Sequence, residues 1–431
     1  MKFKHYKTKL FVLFLTLSSL FTSTVTTFSE TVTKDEDFSI NAKAALAVDV
    51  ETGMILYEQN SEAMLPVASI TKLLSFYVIQ QKIATGEINW TDTVTISQDV
   101  AALSQNLELS NVILDMGETY TVEELFETAV ILSANGATVA LAEWVAGTEA
   151  AFVDLMKEQL QMWGIIDFNL VNSTGLNNED LTTTLYPGSG PTDENEFTAK
   201  DLAIITRHLI KDFPKTLEYT NKASATFESK SSGPAIMYST NWLLPGMPYE
   251  KPGVDGLKTG TTILAGFSFV GTSQQNGQRI ITVILNAETS DRRFIETSRL
   301  IDYAYENWAE RTIIASGEEI PLVSPISVLK GKEKTVPVIV KEEVTYLAPI
   351  SAKQSDFEYL LSFDDQKKVT TAPLARENAL GQLKVTLKDE ALGYLELTDL
   401  ENFESKSTPF YPQTDVQRAN IFVQIWRQLF R

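Results

Sequence analysis

The chain has 431 residues, with 36 Lys or Arg against 56 Asp or Glu, so its formal net charge is −20 at neutral pH. It contains no cysteine and two histidines, which excludes thiol nucleophiles, disulfides, Cys-ligated metal centres and zinc sites built from clustered histidines. The acidic balance argues against nucleic-acid binding, and a composition that is 44% hydrophobic and 21% charged is that of a globular protein long enough for two domains.

The first 30 residues have the pattern of a secretory signal peptide. Lysines at positions 2, 4, 7 and 9 precede a mostly apolar run, 10–21, which is too short to span a bilayer comfortably. We therefore expect export, with cleavage somewhere between residues 22 and 42; an uncleaved N-terminal anchor is the alternative. Loss of the four lysines leaves 32 basic and 56 acidic residues, so the mature charge is near −24.

Residues 43–310 are predicted to form an α+β domain. Two apolar runs, 44–50 and 54–57, flank Glu51-Thr52-Gly53 and predict a β-hairpin. Helical periodicity follows at 69–86, 122–132, 137–145 and 152–163. Strand character returns at 265–272 and 279–286, joined by a turn at 274–277, and 296–308 is typical of a closing helix. Strands, then helices, then strands predict that the N- and C-terminal strands share one sheet.

Residues 311–411 are predicted to form a small all-β sandwich domain. Short β-rich runs separated by charged turns occur at 336–340, 343–347, 359–363, 383–387 and 393–397. This region contains no combination of residues that would be expected to catalyse a reaction.

The last segment, 414–431, is predicted to be an amphipathic helix. Its apolar residues recur at helical spacing: Ala419, Phe422, Val423, Trp426, Leu429 and Phe430, with Ile421 and Ile425 widening the face. Three arginines against Asp415 give the segment a charge of +2 in an otherwise acidic chain. A basic amphipathic helix with Trp at its apolar boundary favours in-plane attachment to a membrane surface. The alternative is a terminal helix docked on the β-domain.

Ser69 and Lys72 are the first candidate catalytic pair. They lie three residues apart where a helix is predicted to begin, so they share one face of it. A desolvated, partly neutral amine can take the proton of a neighbouring hydroxyl, which activates a serine without histidine. S-x-x-K alone is a weak signal, because Ser327-Val328-Leu329-Lys330 is a second copy in the β-rich region with no helix to organise it.

Two further motifs make the pattern specific. Ser133-Ala134-Asn135 falls in a short loop between two predicted helices, and Lys258-Thr259-Gly260 precedes the predicted strand at 265–272. The glycine allows a ligand to approach the backbone closely. Singly, Asn135 could belong to a turn and Lys258 could be a solvated charge at a strand end. The order S-x-x-K, S-x-N, K-T-G is the specific signal. His208, in an apolar helical run, is predicted to be structural.

These three motifs resemble those of the penicillin-recognising serine enzymes, which include penicillin-binding proteins and β-lactamases. Within that group the chain is most similar to the low-molecular-mass D-alanyl-D-alanine carboxypeptidases, over nearly the whole mature chain. Supporting segments are 172–176, 197–202, 240–244, 253–265 and 291–294. The resemblance implies a β-lactamase/transpeptidase-like domain, with helices packed on an antiparallel sheet plus a helical subdomain, followed by the β-sandwich.

The resemblance also implies a role for each motif residue. Ser69 would attack the carbonyl between two terminal D-alanines to give an acyl-enzyme, with Lys72 as base and Ser133 relaying a proton to the leaving nitrogen. Backbone N–H groups of Ser69 and Thr261 would form the oxyanion hole. The substrate-binding residues would be Asn135, Lys258, Thr259, Gly260, Thr261 and Arg293, the last meeting the terminal carboxylate. Arg292 is the alternative to Arg293. No cofactor and no metal is implied.

The implied function is removal of the terminal D-alanine from peptidoglycan pentapeptides at the outer face of the cytoplasmic membrane, with inhibition through covalent acylation by β-lactams. One alternative is a β-lactamase on the same fold. Neither Leu176-Asn177 nor Leu285-Asn286 has a Glu three residues before its Leu, the context of the class A deacylating residue. The other alternative is a catalytically silent peptidoglycan-binding protein, which the intact motifs disfavour.

Overall fold

The computed structural model describes residues 38–106, 108–231, 233–363, 370–388 and 392–429, so the predicted signal peptide lies outside the described residues. The strands are β1 (Ala42–Asp49), β2 (Ile55–Gln59), β3 (Leu65–Pro66), β4 (Thr93–Thr95), β5 (Thr119–Thr121), β6 (Glu196–Phe197), β7 (Ser224–Ser229), β8 (Gly233–Tyr238), β9 (Val254–Thr262), β10 (Gly266–Gln275), β11 (Gln278–Ala287), β12 (Trp308–Ile314), β13 (Ile326–Leu329), β14 (Thr335–Val336), β15 (Val338–Val340), β16 (Val344–Pro349), β17 (Phe357–Phe363), β18 (Thr370–Thr371), β19 (Gly381–Leu387) and β20 (Thr408–Pro412).

The α-helices are α1 (Lys72–Ala84), α2 (Gln98–Ser104), α3 (Val122–Ile131), α4 (Asn135–Ala146), α5 (Glu149–Met162), α6 (Ala199–Asp212), α7 (Thr216–Thr220), α8 (Ser290–Asn307), α9 (Leu397–Ser405) and α10 (Ile421–Leu429). A 3₁₀ turn, Ala68–Thr71, precedes α1 directly. The helical segments predicted in the first domain are therefore confirmed, with end points shifted by a few residues.

An antiparallel sheet in the order β2-β1-β11-β10-β9 organises the first domain. The predicted hairpin at its N-terminal edge is confirmed, and Asp49 Oδ1 accepts the Thr52 N–H at 2.8 Å inside its turn. The predicted sharing of one sheet by N- and C-terminal strands is also confirmed, because β1 pairs with β11.

The sheet is covered by helices on both faces. Alternate residues of β1 point to opposite sides, so Leu46 and Val48 belong to one core cluster and Ala45 and Ala47 to the other. Helix α6 packs on the first face and α8 on the second, while α1 lies among α4, α5 and α6. The α+β prediction of helices on an antiparallel sheet plus a helical subdomain is confirmed.

The edge strand that carries the K-T-G motif was missed in the sequence. Lys258-Thr259-Gly260 precedes β10, as predicted, but it also lies inside β9, the edge strand of the main sheet, which pairs with β10. The two glycines of β9, Gly256 and Gly260, interrupt the apolar pattern that would have indicated it.

The C-terminal region is rich in short β-strands, as predicted for an all-β domain. Its sheets have the orders β15-β20-β19-β17, β14-β13-β18 and β12-β16. The strand predicted at 393–397 is wrong. Only Tyr394 forms a bridge there, to Met54, and α9 begins at Leu397. The Leu395 N–H donates to Gly53 O at 2.8 Å, so the apolar residues of this segment dock on the first domain.

The predicted C-terminal helix is shorter than expected. It begins at Ile421 and not at residue 414, because Val416 and Arg418 form bridges to Leu374 and Gly331 of the β-domain. Phe430 and Arg431 lie outside the described residues. Within the part of the chain that the structure describes, no helix has the length and apolar character needed to cross a membrane.

Candidate active site

Ser69 and Lys72 meet at the junction of the 3₁₀ turn and α1. The Lys72 amine donates to Ser69 Oγ at 2.9 Å, to Asn135 Oδ1 at 2.7 Å and to the carbonyl oxygen of Thr174 at 2.7 Å. Ser69 is partly exposed, whereas the Lys72 side chain is fully buried. The residue before the serine, Ala68, has a φ of +50°, a strained conformation of the kind that clusters at functional sites.

Burial is the main influence on the Lys72 amine. Its pKa lies well below the ordinary value of 10.5, first because the charged form is desolvated and second because Lys258 repels it; Glu149 acts in the opposite direction. A lowered pKa increases the fraction of the amine that is neutral at a given pH. In that state it can accept the proton of the hydroxyl 2.9 Å away.

The S-x-N motif joins α3 to α4, as predicted. Ser133 has a φ of +65° in the short connection, and Asn135 is the first residue of α4. Both side chains are buried, with exposures of 3% and 2%. Asn135 divides its amide between two partners, since Oδ1 accepts from Lys72 and Nδ2 donates to Ser110 O at 3.1 Å. Asn135 is therefore fixed beside the Ser69–Lys72 pair.

The K-T-G motif brings a second buried lysine to the site. Lys258 is 1% exposed, and its amine donates to Thr259 O at 2.9 Å. Burial, followed by repulsion from Arg293, lowers the pKa of Lys258 to about 7. Gly260 allows β9 to approach the serine, because a Cβ at this position would lie 2.4 Å from Val67 O.

Of the two neighbouring arginines, Arg293 is the one that reaches β9. It lies on α8, and its Nη1 donates to Thr261 Oγ1 at 2.8 Å. Its Nε is buried without a partner among the described residues. Burial lowers the pKa of Arg293 to about 10, while Asp291 acts in the opposite direction. The Arg292 side chain is 47% exposed and pairs with Glu296 at 3.6 Å.

Three features of the site were not predicted from the sequence. The Thr174 carbonyl is a partner of Lys72, and a backbone acceptor leaves no residue-type signature. Asn172 Oδ1 orders this segment by accepting the Gly175 N–H at 2.7 Å. Thr240 Oγ1 accepts from Thr259 Oγ1 at 2.8 Å. Thr240 lies inside Ser239-Thr240-Asn241, a further S-x-N copy in the sequence, and that repeat of the motif was the available signal.

His208 makes structural contacts, in keeping with the prediction. Its ring stacks on Trp163 with centroids 4.5 Å apart, and Nε2 lies 3.4 Å from Glu396 Oε1. Among the described residues, no group of three or more His, Asp or Glu side chains is placed to hold a metal ion.

A serine paired with a buried lysine, beside an edge strand that carries a second buried lysine and contacts Arg293 of α8, defines a serine enzyme of the penicillin-recognising class. Residues 29–289 match the family model described as D-alanyl-D-alanine carboxypeptidase, and residues 308–418 match the C-terminal domain of penicillin-binding protein 5. The chain belongs to the D-alanyl-D-alanine carboxypeptidase family and is a low-molecular-mass penicillin-binding protein. These matches do not favour the β-lactamase or the silent binding protein.

Relatives of known structure or curated activity resemble the chain over most of its length. The D-alanyl-D-alanine carboxypeptidase DacF of Bacillus subtilis is 26% identical over 83% of this chain and 85% of its own. A peptidoglycan synthesis regulatory factor, PBP3, of Streptococcus pneumoniae is 39% identical, with a TM-score of 0.69 over 88% of this chain and all of its own. Penicillin-binding protein D2 of Listeria monocytogenes, in an ampicillin-bound form, is 28% identical, with a TM-score of 0.51 over 62% of this chain and 99% of its own.

Proposed function

We propose that the protein removes the terminal D-alanine from peptidoglycan pentapeptides through an acyl-enzyme on Ser69. The observation that carries this proposal is the buried Lys72 amine 2.9 Å from Ser69 Oγ, in a chain of the carboxypeptidase family. Asn135 and the Thr174 carbonyl hold the same amine, so it points at the serine without a histidine.

Acylation begins when Lys72 takes the Ser69 proton and Oγ attacks the carbonyl between the two D-alanines. The backbone N–H groups of Ser69 and Thr261 receive the developing oxyanion, a contribution typically worth about 3 kcal/mol. The carbon–nitrogen bond then breaks, and the proton that Lys72 took passes through the Ser133 hydroxyl to the leaving amine, which leaves Lys72 neutral for the next step. Water hydrolyses the ester and restores the serine. The burial of Lys72 and Ser133 supports these roles, because it keeps bulk water from competing for the proton.

The cations around β9, Lys258 and Arg293, bind the substrate carboxylate. Lys258 and Arg293 stand beside Thr259 and Thr261, where a peptide terminus with negative charge would find both cations and hydroxyl groups. No strand of the described residues pairs with the outer edge of β9, so a peptide can add there as a further strand, with Asn135 beside it. A local cluster of this kind is needed because the chain as a whole is strongly acidic.

The proposal includes inhibition by β-lactams. Their strained amide offers Ser69 the same attack and leaves an ester that water hydrolyses slowly. The ampicillin-bound form of the similar Listeria protein supports this part of the proposal.

The test uses purified full-length protein incubated with a D-Ala-D-Ala-terminated peptide and, separately, with labelled penicillin. We expect released D-alanine and a long-lived adduct on Ser69, and both are lost in Ser69→Ala. Ser327→Ala is the matched control, because it removes the serine of the second S-x-x-K copy, on β13, and leaves both signals unchanged. Fast penicillin turnover without D-alanine release favours a β-lactamase. The absence of both D-alanine release and the Ser69 adduct favours a silent binding protein.

We propose further that the protein is exported and held at the membrane surface by α10, with a catalytic domain at 43–310 and a β-domain at 311–411. The exposed apolar side chains of α10 support this: Phe422 is 80% exposed, Leu429 73%, Trp426 64% and Ile421 60%. Arg427 donates to Gly331 O at 2.7 Å, which ties the helix to the β-domain.

Membrane attachment is tested by fractionation of Phe422→Ser/Trp426→Ser. We expect this variant to move from the membrane to the soluble fraction while peptide hydrolysis is retained. Leu322→Ser/Leu397→Ser is the matched control, since these residues are 71% and 80% exposed in the same half of the chain but lie outside α10. Continued membrane retention of the first variant would refute the anchor.

A further inference from the structure

Glu149 is a buried carboxylate that lies outside the three motifs. It is the first residue of α5 and is 6% exposed. Its Oε1 accepts the Ser173 N–H at 3.1 Å and the Ser173 hydroxyl at 2.7 Å, and its Oε2 accepts the Thr183 hydroxyl at 2.6 Å. All three partners are neutral, so the carboxylate is held by hydrogen bonds. A buried charge with such partners needs an explanation, because desolvation makes it costly.

The segment that Glu149 binds, Ser173 and Thr174, also contacts Lys72 and the helix α1 that carries it. The Ser173 carbonyl accepts the Ser75 hydroxyl of α1 at 2.6 Å, and the next carbonyl, of Thr174, accepts the Lys72 amine at 2.7 Å. Glu149 on α5 and Ser75 on α1 therefore hold Ser173 from two helices. The Glu149 contact and the Lys72 contact lie on consecutive residues, Ser173 and Thr174, so a shift of the first moves the second.

Glu149 also acts on Lys72 through its charge. Burial and Lys258 lower the pKa of Lys72, and Glu149 is the group that raises it. The other charged group facing Glu149 is Glu143 of α4, whose pKa is raised by burial and, to a smaller extent, by Glu149 and Asp99; Ser97 acts in the opposite direction. The charges of Lys258 on β9 and Glu149 on α5 therefore act in opposite directions on the pKa of the Lys72 amine.

We propose that Glu149 is a positioning residue for Lys72: it holds the Thr174 carbonyl against the amine and supplies negative charge to the buried site. The proposal rests on the proposed function, in which Lys72 is the base. Without Glu149 the amine keeps its distance to Ser69 less well, and its protonated form loses a favourable partner. Glu149 touches neither Ser69 nor the substrate site, so its effect must pass through Lys72.

The test is the pH profile of Ser69 acylation by labelled penicillin, and of kcat and KM for the peptide, in purified full-length Glu149→Gln. Removal of the negative charge disfavours protonated Lys72, so we expect the midpoint of the acid limb to move down by about 0.5 pH units or more. We also expect kcat to fall about tenfold with little change in KM, because the carbonyl is less well held. An acid-limb midpoint equal to wild type overturns the proposal, whatever happens to the rate, since a purely structural role would not move it.

Asp154→Asn is the matched control. Asp154 lies on the same helix and accepts the Tyr186 hydroxyl at 2.7 Å, but it is exposed, so its charge is screened and we expect no shift. If Glu149→Gln does not fold, Ser173→Ala provides the second test. It deletes the 2.7 Å bond and keeps the carboxylate, so we expect kcat to fall about fivefold with an unchanged midpoint. A wild-type kcat in Ser173→Ala overturns the positioning role.

Failure of this inference is distinguishable from failure of the proposed function. A wild-type protein that neither releases D-alanine nor forms an adduct on Ser69 removes the proposed function itself. A wild-type protein that does both, together with an unshifted Glu149→Gln, removes the role of Glu149 alone.

Discussion

Two lysines with the same ordinary pKa are buried in one site and are suited to different tasks by their neighbours. Lys72 has three acceptors and stands 2.9 Å from a hydroxyl, which suits a base. Lys258 donates to Thr259 O and lies beside Arg293, which suits an anion receptor. Repulsion from Lys258 also favours the neutral form of Lys72, so the anion receptor helps to prepare the base.

The first prediction concerns pH. Because the pKa of Lys258 is lowered to about 7, raising the pH above this value removes one of the two cations that attract the substrate carboxylate, and Arg293 remains. We expect kcat/KM for the peptide to fall on an alkaline limb that begins just above neutrality. The limb of kcat should lie at higher pH, because the bound carboxylate favours charged Lys258. In Lys258→Arg the cation persists, so the alkaline limb should move upward; the same limb in both proteins would contradict the assignment.

The second prediction concerns stability. Between pH 7 and 10.5 the unfolded chain binds a proton at residue 258 that the folded protein does not, so the free energy of unfolding of the wild type rises with pH in this window. Lys258→Met removes the buried amine. We expect its Tm to exceed that of the wild type by about 2–6 °C at pH 7, with the difference shrinking towards pH 10. Peptide hydrolysis should be lost. A Tm difference that is independent of pH would show that Lys258 is not neutralised on folding.

At the scale of elements, the motifs were predictable and their backbone setting was not. The spacing of Ser69 and Lys72 at a helix start, and of Ser133 and Asn135 between helices, follows from periodicity that the fold retains. β9 was missed because glycine breaks the apolar pattern where the strand must pass close to Val67. The Thr174 carbonyl and the Glu149 contact depend on tertiary packing between segments about 100 and 24 residues apart, which local patterns do not encode.

The third prediction concerns Gly175, which packs against the turn that carries Ser69. Gly175 has a φ of +78°, and a Cβ there would lie 1.8 Å from Ala68 O, in the turn that carries Ser69. Gly175→Ala should therefore cost about 3 kcal/mol or more in the free energy of unfolding and slow Ser69 acylation at least tenfold. Gly164→Ala is the matched control, with a φ of +77° and nothing within 4 Å. Gly164→Ala loses only the free energy of placing a Cβ in a left-handed backbone conformation, about 1–2 kcal/mol. Its Ser69 should be acylated at the wild-type rate. Equal effects of the two variants would contradict the steric argument.

At the scale of the whole molecule, two segments make contacts that differ from the predicted ones. Residues 393–397 were predicted to be a strand of the β-domain, and residues from 414 onward were predicted to belong to the amphipathic helix. The 393–397 segment docks on the β1–β2 turn, and residues 415–418 fasten the chain end before α10 begins. The apolar residues of both segments were expected to find other partners, because periodicity does not say which surface buries a residue.

The fourth prediction follows from the start of α10. Asp415 Oδ1 accepts the Arg376 N–H at 2.7 Å, and Val416 is buried against Leu374. A truncation after Asn420 should leave the Tm within about 2 °C of wild type. A truncation after Thr414 should lower it by several degrees, because it strips a buried apolar side chain and two bridges from the β-domain. The comparison is made by thermal unfolding of the two truncated proteins. Equal Tm values would show that residues 415–418 do not stabilise the β-domain.

A buried ion cluster joins the two halves of the molecule. Arg207 of α6 lies within 3.0 Å of Glu396 and 2.8 Å of Asp399, and its Nε donates to Val50 O at 2.7 Å. The side chains are 8%, 15% and 7% exposed, so water does little to screen them. The arginine comes from the first domain and both carboxylates come from the segment around α9, so this cluster is an electrostatic contact between the two.

The fifth prediction is that Arg207→Met uncouples the domains. Loss of the guanidinium leaves Asp399 and Glu396 facing each other with His208 as the remaining partner of Glu396, at a cost of about 3–5 kcal/mol. We expect calorimetry to resolve two unfolding transitions where the wild type shows one, with Ser69 acylation retained. Arg279→Met is the matched control, because Arg279 pairs with Asp255 at 2.8 Å within the first domain and is more exposed. It should lower the Tm slightly without splitting the transition. A single transition in Arg207→Met would mean that the apolar docking of 393–395 on the β1–β2 turn holds the halves together without the ion cluster.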